Sequence, residues 1–131
     1  AELIKNNTKK INRLKYLKEM GTSKVTVSPF GFGEISLRDF EVFLTGSLLL
    51  KPSMSHMKTW PDLYKEEQTM VSFDWKGEKL MSKIEEIVEN YDNYKFIAVK
   101  GQNNFLKYTA SKESGKIFAK RFDCIIKTNY L

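Results

Sequence analysis

The sequence predicts an α/β domain built on a short parallel sheet, and three observations predict it. Val25-Thr26-Val27 and Leu48-Leu49-Leu50 are strand-sized apolar runs, the stretch between them changes to helical spacing, and the last third of the chain is helical in pattern. A helix of about nine residues between two such strands makes a parallel βαβ unit, whose crossover is expected to be right-handed. The 131 residues, 41% of them hydrophobic, suffice for one domain with a single core, residues 1–131.

From Lys9 to Met20, the residues Ile11, Leu14, Tyr16, Leu17 and Met20 recur at three- and four-residue steps, the mark of an amphipathic helix, with Gly21 placed to close it in a left-handed cap. A short strand follows at Val25 to Val27 and ends before Pro29, which has no N–H for a ladder. Phe30-Gly31-Phe32-Gly33-Glu34 reads as a tight turn whose two glycines permit backbone conformations that a side chain would obstruct. Ser36 and Asp39 form a capping-box-like S-x-x-D, so the next helix starts at Leu37 and stops near Gly46. Leu48 to Leu50, before Pro52, has the continuous apolar character of a strand buried on both faces.

Pro52 to Gln68 lacks periodicity and reads as a long loop with one helical turn near Pro61 to Lys65. Met70 to Phe73 gives a third strand. Leu80, Ile84, Ile87, Val88 and Tyr91 place a helix over Glu78 to Asn90, and the chain restarts at Asp92 or Asn93. The final third carries a helical segment from Lys95 to Thr109 interrupted by Gly101, then a second one capped by Ser111 and containing Ile117, Phe118, Phe122, Ile125 and Ile126. A three-stranded parallel sheet buries its two faces poorly by itself, so the chain is expected to belong to a larger sheet or to form a homo-oligomer across a sheet edge.

No apolar run approaches the roughly 18 residues of a membrane span, and no signal-peptide pattern opens the chain, which gives a cytoplasmic expectation with no transmembrane segment. Cys124 and His56 are each the only residue of their kind, so no internal disulfide and no metal site is expected. The net charge of +6 suits a phosphorylated ligand, nucleic acid or an anionic surface alike.

Within the helix that starts at Leu37, the positions Leu37, Phe40, Glu41 and Leu44 share one face, which sets a carboxylate among apolar neighbours. Two readings stand side by side. Arg38 pairs with Glu41 only to hold the helix, or Glu41 accepts hydrogen bonds from the vicinal hydroxyls of a ribose while Arg38 counters phosphate charge. The glycine turn before a helix N-terminus, at the carboxyl end of a parallel strand, is a position that favours phosphate.

The stretch Val27-Ser28-Pro29-Phe30-Gly31-Phe32-Gly33-Glu34, followed by Arg38-Asp39-Phe40-Glu41, Gly46 and Leu50-Lys51-Pro52, resembles the C-terminal donor-binding domain of bacterial GT-B glycosyltransferases, in particular a subgroup with S-P-F-G-x-G-E and R-D-F-E patterns. The similarity continues through His56, Thr59-Trp60-Pro61-Asp62 and Tyr64. It implies a partial Rossmann-like sheet of about three strands with flanking helices. It also implies transfer of a sugar from a nucleoside-diphosphate sugar, the substrate, to an acceptor hydroxyl, without metal or cofactor. Gly31, Phe32, Gly33, Glu34, Arg38 and Glu41 become the donor-binding candidates, with Glu41 matching the ribose-binding second glutamate of an E-x7-E element. Glu34 lies one position nearer to Glu41 than that element requires.

The resemblance further implies that an N-terminal acceptor domain is missing and that the chain alone is inactive; no catalytic base stands out. Trp60-Pro61-Asp62 and Tyr64 either pack the nucleotide-facing loop or cover the sheet edge. Two other classes compete. A basic nucleic-acid-binding module is favoured by the charge and by Phe30, Phe32 and Trp60, but no helix-turn-helix, zinc-finger or aromatic sheet motif accompanies them, so nucleic acid is not expected as a partner. The other is a noncatalytic α/β interaction domain in which Arg38 and Glu41 make only a salt bridge.

Overall fold

Leu48 to Pro52 is the segment around which the molecule is organised. In the computed structural model, which describes residues 11–129, these five residues form the central strand of a three-stranded parallel sheet, and all five are buried. The elements in chain order are α1 (Arg13–Thr22), β1 (Val25–Val27), α2 (Leu37–Thr45), β2 (Leu48–Pro52), β3 (Val71–Phe73), α3 (Leu80–Glu89), α4 (Tyr91–Thr109) and α5 (Ser114–Asn129). Strand β2 pairs with β1 through Val25↔Leu48 to Val27↔Leu50 and with β3 through Leu50↔Val71 to Pro52↔Phe73. The expected α/β class, parallel βαβ unit and three strands are therefore present. Within the described residues, β1 and β3 each have a strand partner on one side only.

Alternation along β2 divides the core in two. Leu49 joins Met20, Val42, Phe43, Met54, Leu63, Tyr64 and Met70 on one face, under α1, α2 and the loop that follows β2. Leu48 and Leu50 point the other way and pack with Val71, Ile87, Ile97 and Ala98 from β3, α3 and α4. Each fully buried leucine contributes about 1.5–3 kcal/mol relative to an exposed one, which explains why an unbroken Leu run marks the sheet centre.

Several local expectations change. Gly21 lies inside α1 and makes no left-handed cap; the hydroxyls of Thr22 and Ser23 donate to the Glu19 carbonyl at 2.9 and 2.8 Å and finish the helix. The helix begins at Arg13, capped by Asn12, whose side chain accepts from the Leu14 N–H, and the predicted start at Lys9 lies outside the described residues. No helical turn forms at Pro61 to Lys65. The turn lies instead at residues 67–69, with Glu67 at φ 55° and the N–H groups of Gln68, Thr69 and Met70 donating to the Lys65 carbonyl.

Gly101 does not interrupt the fourth helix, which runs unbroken from Tyr91 to Thr109. Its lack of a side chain serves close packing: a Cβ there would come within 2.7 Å of the Thr69 carbonyl and 3.2 Å of the Phe43 ring. Where the sequence suggests a break, the structure has a close approach of α4 to α2 and the loop.

Candidate functional site

Parallel strands present their carboxyl ends along one edge of a sheet, and ligands of open α/β domains bind at that edge. Here the edge is formed by Ser28 to Phe30 after β1, Ser53 to His56 after β2, and Asp74 and Trp75 after β3. One buried network holds Ser28 of the first segment, and Lys51 of β2 itself, to α2.

The centre of that network is Asp39. Its side chain is completely buried and forms an ion pair with Lys51, also completely buried, at 3.1 Å. Lys51 Nζ also approaches the Ser28 carbonyl at 3.5 Å and sits 5.1 Å from the Phe30 ring centroid. Asp39 accepts from Ser28 Oγ at 2.5 Å, Ser36 Oγ and the Ser36 N–H at 3.0 Å each, and Tyr64 O–H at 3.0 Å. Burial, and then the charge and hydrogen bond of Asp39, push the Tyr64 phenol far above its ordinary value. The capping box predicted from Ser36 and Asp39 thus exists, but its acid is also the anchor for a lysine on the central strand.

The sequence predicts Glu41 as the buried carboxylate and Arg38 as its partner. Glu41 is indeed buried at 8% exposure, but its neighbours on the predicted face, Leu37 and Leu44, are exposed, and the core-facing residues are Asp39, Val42 and Phe43. The face is rotated from the expected one because Asp39 turns inward to meet Lys51. Glu41 pairs with Arg13 of α1 at 3.0 Å, not with Arg38, and Arg13 is two-thirds exposed, so solvent screens much of that interaction. Among the described residues Arg38 forms no ion pair.

Gly31, Arg38 and Glu41 nevertheless come together. With Tyr16, Pro29, Phe30, Ser36 and Leu37 they line an open cleft of ≈ 390 Å³ between α1, the glycine turn and the N-terminus of α2. The N–H groups of Leu37 and Arg38 open the helix and have no intrahelical acceptor. The cleft therefore combines helix N–H dipoles, a guanidinium that has no ion pair among the described residues, a half-buried Tyr16 ring and a carboxylate that retains acceptor capacity beside Arg13.

The remaining candidates lie elsewhere. Phe32 is fully exposed at the tip of the turn, and Gly33 and Glu34 do not line the cleft. Gly31 and Gly33 both avoid the left-handed region, and a Cβ at either would meet no atom within 4 Å, so the turn itself does not require them. Glu34 lies 3.5 Å from His56 Nε2. His56 and Trp75 pack edge to face at 5.0 Å, and Phe30 reaches both.

Trp60 packs against Tyr108 of α4 and Phe118 of α5, tying the long loop to the C-terminal helices. Tyr64 is interior, edge-on to Phe43. Glu66 joins the loop to the sheet by accepting from Ser53 Oγ at 2.5 Å and Ser72 Oγ at 3.0 Å. A second cleft of ≈ 340 Å³ lies between β3 and α3, lined by Lys79 and Lys83 but also by Asp74 and Glu86. Three of its four charged groups already have partners within the protein. Lys83 pairs with Glu86 at 3.2 Å, and Asp74, against a desolvation penalty, is held below the usual carboxylate range by the N–H groups of Lys79, Glu78, Gly77 and Lys76.

Among the described residues no group of His, Cys, Asp and Glu is arranged to hold a metal ion, and no helix is long and apolar enough to cross a membrane. No family model, curated protein or solved structure matches the chain.

Proposed function

We infer that the chain is the donor-binding part of a glycosyltransferase and that a nucleoside-diphosphate sugar occupies the cleft between α1 and α2. The observation that carries this reading is the convergence of Gly31, Arg38 and Glu41 on one cleft at the carboxyl end of β1. A nucleoside diphosphate has three chemically distinct parts, and the cleft has a match for each. The diphosphate takes the Leu37 and Arg38 N–H groups and the Arg38 guanidinium. The ribose donates from its vicinal hydroxyls to the Glu41 carboxylate, and the base lies against Tyr16.

In this reading an acceptor hydroxyl attacks the anomeric carbon, the bond from that carbon to the diphosphate oxygen breaks, and the departing negative charge is stabilised by the helix dipole and Arg38. The acceptor and the group that takes its proton belong to a separate N-terminal domain. A cytoplasmic location, where nucleotide sugars serve as donors, fits the same reading.

Titration of isotopically labelled protein with UDP, GDP and their sugar conjugates tests it by NMR. The amides of Gly31, Arg38 and Glu41 shift together, and Glu41→Ala abolishes the saturable response while the rest of the spectrum stays folded. A folded protein that responds to none of these ligands overturns the reading.

A further inference from the structure

The Phe30 ring that lines the nucleotide cleft belongs at the same time to a second group of side chains. Its centroid lies 5.2 Å from that of Trp75 and 6.3 Å from that of His56, and those two are 5.0 Å apart, all in edge-to-face arrangements. The three rings come from the chain just after β1, β2 and β3, so the sheet itself brings them together at its carboxyl edge. Neither Trp75 nor His56 belongs to either core cluster, and Trp75 is 61% exposed. Packing of the core does not account for a large indole in that position. Glu34 completes the group, its carboxylate 3.5 Å from His56 Nε2.

The chemistry of this group selects among the parts of a donor. An exposed aromatic face carries negative charge density and attracts weakly positive C–H bonds, whereas a carboxylate and an imidazole offer hydrogen-bonding atoms around it. A pyranose presents both features, with C–H bonds across its face and hydroxyls around its rim. Phosphate is disfavoured by the nearby Glu34. A Cβ at Gly31 or Gly33 would meet no protein atom within 4 Å, so the turn that joins Phe30 to Glu34 is open to a ligand.

We propose that Trp75, His56 and Glu34, backed by Phe30, form the hexose platform of the donor site. The nucleotide lies in the cleft, the diphosphate crosses the Gly31–Gly33 turn, and the hexose ring rests on Trp75 with its hydroxyls directed to Glu34 and His56. This inference rests on the donor-binding reading above and extends it to the sugar.

The test follows the Trp75 indole N–H by NMR, assigned with Trp75→Phe, during titration with UDP, GDP, UDP-glucose and GDP-mannose. The bare diphosphates shift Gly31, Arg38 and Glu41 but leave the indole in place; a hexose conjugate shifts the indole as well. Trp75→Ala, at an exposed position, leaves diphosphate affinity unchanged and weakens the conjugate by roughly three- to tenfold, the scale of one aromatic contact. Conjugates that shift the cleft amides without moving the indole, at an affinity unaffected by Trp75→Ala, overturn the platform and leave the nucleotide site standing. Absence of any nucleotide response removes both.

Discussion

Lys51 Nζ lies 3.1 Å from Asp39 Oδ2, and neither side chain has any exposed surface. The pair connects the central strand to the first turn of α2, and so fixes the helix N-terminus against the end of β1. Ser28, Ser36 and Tyr64 all donate to the same carboxylate. A buried ion pair without such donors tends to be a poor source of stability, because desolvation offsets the attraction. Here the carboxylate is saturated, and no buried side-chain polar atom among the described residues lacks a partner.

Removing one member of this pair is therefore costly. Asp39→Ala strands the Lys51 ammonium and four hydrogen-bond donors, and is expected to lower stability by about 3–5 kcal/mol. Lys51→Met leaves Asp39 with its four hydrogen bonds and costs less. Urea denaturation of the two variants gives the order directly; equal losses would show that the hydrogen bonds contribute little.

The glycines divide by what a side chain would meet. Gly46 has φ 79°, and Gly101 faces the Thr69 carbonyl at 2.7 Å, so Gly46→Ala is expected to cost about 1–2 kcal/mol through backbone strain and Gly101→Ala about 1–3 kcal/mol through overpacking. Gly31→Ala and Gly33→Ala change stability by no more than about 0.5 kcal/mol, because both face open space. Thermal unfolding separates the two groups, and a loss of nucleotide response in the stable pair assigns those glycines to the ligand.

Tyr64 gives a prediction in alkali. Its folded-state value lies above the unfolded one through burial and through Asp39. Its contribution to stability is accordingly complete below about pH 10, the unfolded value, and declines as pH rises beyond it, since the unfolded chain then releases a proton that the folded one keeps. Absorbance titration of the six tyrosines should show Tyr64 ionising only together with unfolding, a step absent in Tyr64→Phe. A Tyr64 that titrates normally in the folded protein would contradict the buried hydrogen bond to Asp39.

The parallel βαβ unit was legible because its signals are local: a β-branched run, a capping box, a glycine stop and an unbroken Leu run each act within a few residues. The hub at Asp39 was less so. Its partners, Ser28 at eleven residues before it and Lys51 at twelve after, meet it only once the strands pair. One signal was present, since a lysine continuing a strand buried on both faces requires a counter-charge, and Lys51 follows Leu50 in β2. The rotation of α2 that brings Asp39 inward also explains why Glu41 finds Arg13, a residue of another helix, and not Arg38. The group formed by Glu34, His56 and Trp75 spans three strand ends and has no local signature, and Gly101 was misread because a close approach and a helix break both favour glycine.

Ribose recognition by Glu41 is the most direct test of the proposed donor site. Calorimetry should compare each ribonucleoside diphosphate with its 2′,3′-dideoxy analogue in the unaltered protein and in Glu41→Gln. Hydrogen bonds to a buried carboxylate predict that the ribose form binds about 10- to 100-fold tighter in the unaltered protein, and that Glu41→Gln largely removes this preference. Equal affinity for both forms, or a preference that survives Glu41→Gln, would contradict the assignment of the cleft to a nucleotide ribose.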